Sequence, residues 1–337
     1  MKISDPKIFS DQKIREFINQ NDYASAAIYL FNSQLNNWEL LKRNYEALKN
    51  VETKSFCFEG FKLKIQYNPE RIRSTSAIVD EKSIANRPCF LCVNNLPEEQ
   101  KGILLSNNFI LLCNPYPIFP EHFTIAAISH IPQRISDHFS DFLDISNTLS
   151  PKYNLIYNGP ACGASAPDHL HFQAGTKNFM PIENDIQQLK NDYGISIIND
   201  ELITISFIND GLRRIIFIES TAKTLIEKNF KKILNIYEEF SKTESEPMLN
   251  LISSYNSEFG WSLIIFLRSK HRPGIFFKDD PDKILISPAA IDMGGLIIAP
   301  RKEDFNKINE KLLQKIIDEV SINSKTFDSI LKLFKQS

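Results

Sequence analysis

The first fifty residues have apolar side chains at helical spacing. Ile14, Phe17 and Ile18 are separated by three residues and one, and apolar positions recur through 24–30 and 38–41. This spacing predicts helices, because residues three or four apart share one face of a helix. We expect residues 1–50 to form a helical appendage that packs on the rest of the chain.

From Phe56 onwards the pattern alternates with a period of two, which is typical of strands. It predicts a strand over 56–67, and then a strand pair, 109–113 and 123–128, joined by the proline-rich loop 114–120. A helix through 139–145 and a strand over 153–157 follow. This order favours an α+β fold with an antiparallel sheet and flanking helices.

A second run of elements follows residue 190. Segments 202–208 and 212–218 flank Asn209-Asp210-Gly211, which predicts a hairpin, with helices over 221–241 and from 304 onwards. Segment 261–273 is similar to 123–132, since each is a strand that leads to a histidine. We therefore expect an internal duplication with two related halves: the appendage (1–50), a chemically active half (51–190) and a degenerate half (191–337).

Composition narrows the function only slightly. The chain has 337 residues and a formal net charge of −2, which gives no general attraction for nucleic acid or membrane lipid. No apolar stretch approaches the roughly 20 residues needed to cross a bilayer, and the N-terminus lacks the apolar region of a signal peptide. A cytoplasmic location is the expectation. The five cysteines, an odd number, favour reduced thiols over a disulfide framework.

The segment His169-Leu170-His171-Phe172-Gln173 is the strongest chemical signal. In an extended strand its two imidazoles and its carboxamide lie on one side. Imidazoles can bind a metal or attack phosphorus, and the amide can hydrogen-bond a phosphoryl oxygen. The preceding loop adds Ser165, and Gly163 and Ala164 are small enough for backbone N–H groups to approach an anion. Histidines on a strand are also common as core or surface groups.

Cys89 and Cys92 have the spacing of metal ligands. Thiolates combined with imidazoles favour zinc, and His130 and His169 are the candidates for the third and fourth ligands. A closed site of this kind would be structural. Alternatively, the two cysteines are merely buried small side chains, and His122 competes with His130 as a ligand. With His169 bound to metal and Gln173 unable to attack, His171 becomes the candidate nucleophile.

Gly163-Ala164-Ser165 followed by His169–Gln173 resembles the histidine-triad superfamily in its galactose-1-phosphate uridylyltransferase and GDP-hexose phosphorylase branch. Segments 66–71, 132–135 and 180–183 resemble the phosphorylases in the same order. The resemblance implies a histidine-triad-like fold and a structural zinc. It also implies a reaction of nucleoside diphosphate hexose (NDP-hexose) with phosphate, through a nucleotidyl-His171 intermediate, with GDP-hexose favoured. The Cys89–Cys92 pair departs from the plant and animal GDP-hexose phosphorylases, which leaves the base and the sugar open.

Several further residues are candidates for binding the substrate. Arg71 and Arg73 suit phosphoryl oxygens, and Asn158 could bond the ribose or a loop carbonyl. The remaining candidates are Asn68 in the first half and the basic cluster Arg268, Lys270, His271 and Arg272 in the second. A basic surface turn is the alternative for both arginine groups. Phosphorolysis or hydrolysis of a dinucleoside polyphosphate of the diadenosine tetraphosphate (Ap4A) type is the competing activity, and a non-catalytic nucleotide-binding scaffold is the competing class. The oligomeric state, including a homodimer, stays open.

Overall fold

The computed structural model describes residues 5–9, 11–76, 80–106, 108–241 and 246–336. Three helices lie in the first fifty residues, and the division of the chain at residue 50 stays a prediction. The helices are α1 (Gln12–Asn19), α2 (Tyr23–Asn37), α3 (Glu39–Leu48), α4 (Ile72–Thr75), α5 (Glu81–Ala85), α6 (Phe139–Thr148), α7 (Pro181–Tyr193), α8 (Lys223–Glu238), α9 (Ala290–Met293), α10 (Lys302–Lys307), α11 (Glu310–Val320) and α12 (Ser324–Gln336).

Most strands belong to one antiparallel sheet, as expected for the predicted α+β fold. The strands are β1 (Glu52–Phe58), β2 (Phe61–Tyr67), β3 (Gly102–Leu105), β4 (Phe109–Cys113), β5 (His122–Ala127), β6 (Tyr153–Asn158), β7 (His171–Thr176), β8 (Gly194–Asn199), β9 (Ile203–Asn209), β10 (Arg214–Ser220), β11 (Leu249–Asn256), β12 (Gly260–Leu267) and β13 (Leu296–Ala299). Ten of them pair in the order β3-β4-β5-β7-β6-β11-β12-β10-β9-β8. A separate small sheet has the order β1-β2-β13.

The large sheet has the same strand order in both halves. Outwards from the β6–β11 joint, the first half runs β6-β7-β5-β4-β3 and the second runs β11-β12-β10-β9-β8. Helices α6 and α8 occupy corresponding places in the connections β5–β6 and β10–β11. This topology supports an internal duplication. The predicted correspondence between segments 123–132 and 261–273 is wrong, however. In the sheet, β12 occupies the position that corresponds to β7, not the one that corresponds to β5.

Both faces of the sheet are covered by apolar side chains. Along β10, Ile216 and Ile218 join the core that includes residues of α2, α6, α8 and α12. Their neighbours Ile215 and Phe217 join the opposite core, with residues of α7 and α11. Alternate residues of a strand point to opposite faces, so a strand buried on both sides needs a continuous apolar run. This explains why 215–218 is uniformly apolar.

Three boundaries differ from the sequence prediction. The segment 56–67 is not one strand but parts of the β1–β2 hairpin, because the chain reverses at Gly60, where φ is +78°. The C-terminal region is divided into three helices, α10 to α12. The histidine strand begins at His171, so His169 precedes the strand and is turned towards other partners.

Strand β2 pairs in parallel with β13, so the chain beyond residue 190 completes a sheet begun before residue 68. The division at 190 remains a prediction about sequence units, and the two halves share both sheets. Within the described ranges, no helix combines the length and the apolar character needed to cross a membrane.

Candidate active site and metal group

The four predicted metal ligands lie together beside β7. Cys89, Cys92, His130 and His169 bring their ligand atoms within 4.8 Å of one another. The Sγ atom of Cys89 is 3.3 Å from Nδ1 of His169, and the Sγ atom of Cys92 is 3.2 Å from Nδ1 of His130. Sulfur and nitrogen ligands around a tetrahedral zinc lie about 3.5 Å apart. The donor set and its spacing therefore fit a metal ion.

The outer contacts of these histidines leave the Nδ1 atoms for a metal. Nε2 of His169 lies 2.7 Å from the carbonyl oxygen of Ala127, and Nε2 of His130 lies 3.7 Å from a carboxylate oxygen of Asp168. Such partners orient ligating imidazoles. Burial and the neighbouring Cys89 raise the pKa of the Cys92 thiol to about 11. A cation is therefore needed to hold the sulfur of Cys92 as a thiolate at neutral pH.

His171 is held with one ring nitrogen engaged. Its Nδ1 lies 2.8 Å from the carbonyl oxygen of His169, where an Nδ1–H donates. The side chain is almost fully buried, and burial lowers the pKa of His171 to about 4. The imidazole is therefore neutral at pH 7, with Nε2 carrying the lone pair that a nucleophile requires.

Gln133 fixes the backbone at this point, a role that the sequence did not reveal. Its Oε1 accepts from the backbone N–H of His171 at 2.7 Å. Its Nε2 donates to the carbonyl oxygens of Asn158 and His171 at 2.9 Å and 3.0 Å. The three bonds tie the start of β7 to the end of β6. Because Gln133 lies in a loop 38 residues away in sequence, its role depends on the fold.

The side chain of Gln173 contacts His122. Oε1 of Gln173 lies 2.9 Å from Nε2 of His122, and Nδ1 of His122 accepts from the backbone N–H of Ile118 at 3.2 Å. His122 begins β5 and lies outside the group of four metal ligands. From the sequence, His122 was a candidate only as an alternative metal ligand to His130.

Two cavities meet at Arg71, Ser165 and Gln173. The larger has a volume of about 520 Å³, includes His171, and has an apolar wall formed by Phe90, Leu91, Leu96 and Leu112. Trp38 and Leu40 from the N-terminal helical region also line it, so this region forms part of the cavity wall in addition to packing on the core. This volume lies in the range of small-ligand sites.

The smaller cavity has a volume of about 60 Å³ and is lined from both halves. Gly163, Ala164 and Asn158 come from the first half. His271, Arg272 and Ser287 come from the second half. Its size and the guanidinium groups of Arg71 and Arg272 fit a small anion, although the carboxyl group of Asp292 also lines it.

Arg71 lies between the cavities and has no ion-pair partner among the described residues. Its Nη1 donates to the carbonyl oxygen of Tyr116 at 2.8 Å, while its buried Nε has no hydrogen-bond partner in the described chain. Burial lowers the pKa of Arg71 to about 10. Asp292 lines the smaller cavity with Arg71 and favours its charge, but the two side chains form no ion pair. A guanidinium with an unbonded Nε and no ion pair, in the wall of two cavities, is a candidate anion site.

The other predicted binding residues fall into two groups. His271 and Asn158 line the smaller cavity, although Oδ1 of Asn158 already accepts from Asn250 and from the backbone N–H of Ala290. Arg268, Lys270 and Asn68 line neither cavity.

Each of these three side chains is bound elsewhere. The guanidinium of Arg268 is buried and donates to Asn250 and to the backbone carbonyl oxygens of Val320, Lys270 and His271. Lys270 pairs with Glu319, and the amide of Asn68 donates to Gln66 and to the carbonyl oxygen of Pro117. The structure thus places these three side chains away from both cavities, and their role in substrate binding stays a prediction. Arg73 lies in α4, and its side chain is outside the described part of the structure.

The α+β fold with its histidine strand, and with the same strand order repeated across one sheet, defines a histidine-triad-like protein of two halves. Two family models match the chain: a domain of unknown function, DUF4922, over residues 30–176, and the GDPGP1-like C-terminal domain over residues 213–337. Residues 213–337 are thus similar to the GDPGP1-like family, which agrees with the resemblance found in the sequence.

Solved structures share the fold. Yeast Ap4A phosphorylase Apa2 in complex with AMP is 14% identical and has a TM-score of 0.52, with 86% of this chain and 96% of that chain covered. The structure titled without a ligand is 15% identical, with a TM-score of 0.53 and coverages of 84% and 94%. No curated protein matches the sequence.

Proposed function

We propose that the protein is a nucleotidyl phosphorylase that converts an NDP-hexose and phosphate into NDP and hexose 1-phosphate, with GDP-hexose as the favoured donor. The observation that carries this proposal is the position of His171. Its neutral imidazole has Nδ1 engaged and lines the larger cavity, next to where Gln173, Ser165 and Arg71 join the smaller one. The GDPGP1-like domain and the fold shared with yeast Ap4A phosphorylase support the same class.

In the first step, Nε2 of His171 attacks the α-phosphorus of the donor. The bond from the α-phosphorus to the bridging oxygen breaks, and hexose 1-phosphate leaves with the electron pair. The imidazole ring becomes cationic, and the carbonyl oxygen of His169 stabilises it through Nδ1–H. Gln173, Ser165 and Arg71 donate to the phosphoryl oxygens, and each such donor contributes a few kcal/mol to the transition state.

In the second step, a phosphate oxygen attacks the α-phosphorus, the P–N bond breaks, and NDP leaves while His171 returns to its neutral state. Phosphate enters through the smaller cavity, which His271 and Arg272 line. A volume of about 60 Å³ is too small for a second nucleoside. This favours phosphate over a bulky acceptor in the smaller cavity.

The metal group has a structural role in this scheme, and zinc is the proposed ion. Cys89, Cys92, His130 and His169 supply all four ligands of a closed tetrahedral site, which leaves no position for substrate. The ion would join the loop of the two cysteines to the residues before β7. Phe90 and Leu91, between the cysteines, would thereby be fixed in the wall of the larger cavity.

Mass spectrometry after rapid quenching tests the proposal. The protein is mixed with GDP-, ADP- and UDP-hexoses and with Ap4A, beside the variants His171→Ala and His138→Ala. The control residue His138 pairs with Asp141 and lines neither cavity. We expect a nucleoside monophosphate adduct that His171→Ala abolishes, that His138→Ala retains, and that phosphate releases as NDP.

Each other outcome has a defined meaning. Adduct and phosphorolysis with Ap4A alone would replace the sugar donor with a dinucleoside polyphosphate. Release by water at the same rate as by phosphate would make the enzyme a hydrolase. No adduct or product with any donor would refute the proposal and leave a nucleotide-binding scaffold.

A further inference from the structure

His122 is a buried imidazole that the proposed reaction does not use. Its side chain is fully buried at the start of β5, and its ring packs edge-on against Phe119 with centroids 5.2 Å apart. Tyr45 of α3 holds the backbone: its hydroxyl accepts from the N–H of His122 and donates to the carbonyl oxygen of His122, both at 3.1 Å. The contact with Phe119 and the two hydrogen bonds with Tyr45 thus fix the position of His122 next to Gln173.

The tautomer of His122 follows from its two polar contacts. The backbone N–H of Ile118 can only donate, so Nδ1 of His122 must accept and cannot carry a proton. The ring is neutral, since burial and the nearby Arg71 lower the pKa of His122 to about 3. The proton therefore lies on Nε2, which donates to Gln173 at 2.9 Å.

This chain of donors fixes the orientation of the Gln173 amide. A carboxamide has one oxygen and one NH2 group at nearly equal positions, and only its surroundings decide which group faces which way. An Nε2–H of His122 requires the oxygen of Gln173. The NH2 group then faces the other side, where the two cavities meet.

We propose that His122 is a positioning residue that holds the Gln173 amide with its NH2 group towards the phosphoryl oxygens of the donor. In the opposite orientation, the amide oxygen would face the anionic phosphoryl group and repel it. His122 thus acts on the reaction through Gln173, without touching the substrate. The inference rests on the proposed function for its kinetic consequence, whereas the tautomer and the orientation stand without it.

Two substitutions separate the contacts of His122. In His122→Asn, the side-chain oxygen can replace Nδ1 as the acceptor for Ile118, but no donor reaches Gln173. In His122→Gln, the longer amide can place an N–H where Nε2–H was. We expect His122→Asn to lower the rate of adduct formation about 10- to 100-fold, somewhat less than the loss of a whole transition-state donor. The His122→Gln variant should stay within about 3-fold of the unmodified protein.

The double variant distinguishes positioning from a general structural role. If His122 acts only through Gln173, then His122→Asn has no further effect in a Gln173→Ala background. A loss of equal size in both backgrounds would overturn the proposal. Near-ultraviolet circular dichroism checks that the variants are folded, and an active His122→Gln shows that the position tolerates an amide.

Nitrogen NMR of the imidazoles provides a test that needs no reaction. The chain has six histidines, few enough to assign His122 by substitution. We expect a neutral ring with the proton on Nε2 throughout pH 5 to 8. A proton on Nδ1, or a cationic ring, would overturn the proposed orientation. If the unmodified protein forms no adduct with any donor while this tautomer is found, the proposed function fails and the orientation of the amide stands.

Discussion

Replacing Arg71 by glutamine tests whether the point between the two cavities is an anion site. Burial of the guanidinium lowers the pKa of Arg71 from the ordinary arginine value to about 10. One pKa unit corresponds to about 1.4 kcal/mol, so burial disfavours the charge by about 3 kcal/mol. At pH 7, below both values, Arg71 is charged in the folded and the unfolded chain, and this cost lowers the stability of the folded protein.

A bound phosphate would offset the cost by placing an anionic oxygen against the guanidinium, which Asp292 influences without forming an ion pair. We therefore expect Arg71→Gln to weaken phosphate binding by about 3 kcal/mol, or about 100-fold in the dissociation constant. The free energy of unfolding should not fall, because the loss of the bond to Tyr116, about 1 kcal/mol, is outweighed by removal of the buried charge. Titration calorimetry with inorganic phosphate and urea unfolding measure the two quantities.

Lys270→Gln is the matched control, since it removes a cation that pairs with Glu319 outside both cavities. It should leave phosphate binding unchanged. If Arg71→Gln binds phosphate normally and loses more than about 2 kcal/mol of stability, Arg71 is a structural residue and the anion site is wrong.

Three further predictions concern the rest of the molecule. Cys92→Ala should abolish the stoichiometric zinc measured by elemental analysis and should lower the unfolding temperature. Cys57→Ala, which removes an exposed thiol outside the metal group, should do neither. Equal zinc in both variants would contradict the proposed metal site. Arg268→Met should lower the free energy of unfolding in urea by about 3 kcal/mol or more, because buried oxygens such as that of Asn250 lose their hydrogen-bond donor. A stable variant that binds the nucleotide substrate more weakly would instead support the predicted role of Arg268 in binding. Burial raises the pKa of Glu246 to about 7. As far as this group contributes, the free energy of unfolding should be highest below about pH 4.5 and should fall by about 3 kcal/mol as the pH rises through 7. Glu246→Gln should flatten this pH dependence, and an unchanged slope would refute the prediction.

The candidate residues of the site could be predicted from the sequence where they lie close together along the chain. The sequence predicted the cysteine pair, the two histidines that join it, and His171 with Gln173, because their spacing is local or ends a recognisable strand. The structure brings those four ligands together and places His171 and Gln173 at the cavities.

The supporting contacts were not readable, since they depend on how distant segments meet. Gln133 and His122 are ordinary residues in their own segments and acquire roles only when β5, β6 and β7 pair. The surroundings of Arg268 likewise depend on how distant segments meet. A basic run is typical of a surface or an anion site, and only the packing of β12 against the chain at Val320 shows that this guanidinium is enclosed by carbonyl oxygens.

The joint between β6 and β11 has a consequence for how the chain can be divided. It is a pairing of four residues on each side, Leu155–Asn158 with Asn250–Ser253, and β6 is the immediate neighbour of the histidine strand. A fragment that ended before β11 would leave β6 as a bare sheet edge, with unpaired backbone groups open to another chain. It would also lack β13 beside β2 and the second-half wall of the smaller cavity. The half that lacks the histidine motif thus covers the open sheet edge of the half that carries it, and a chain cut between the halves would expose that edge and open the smaller cavity.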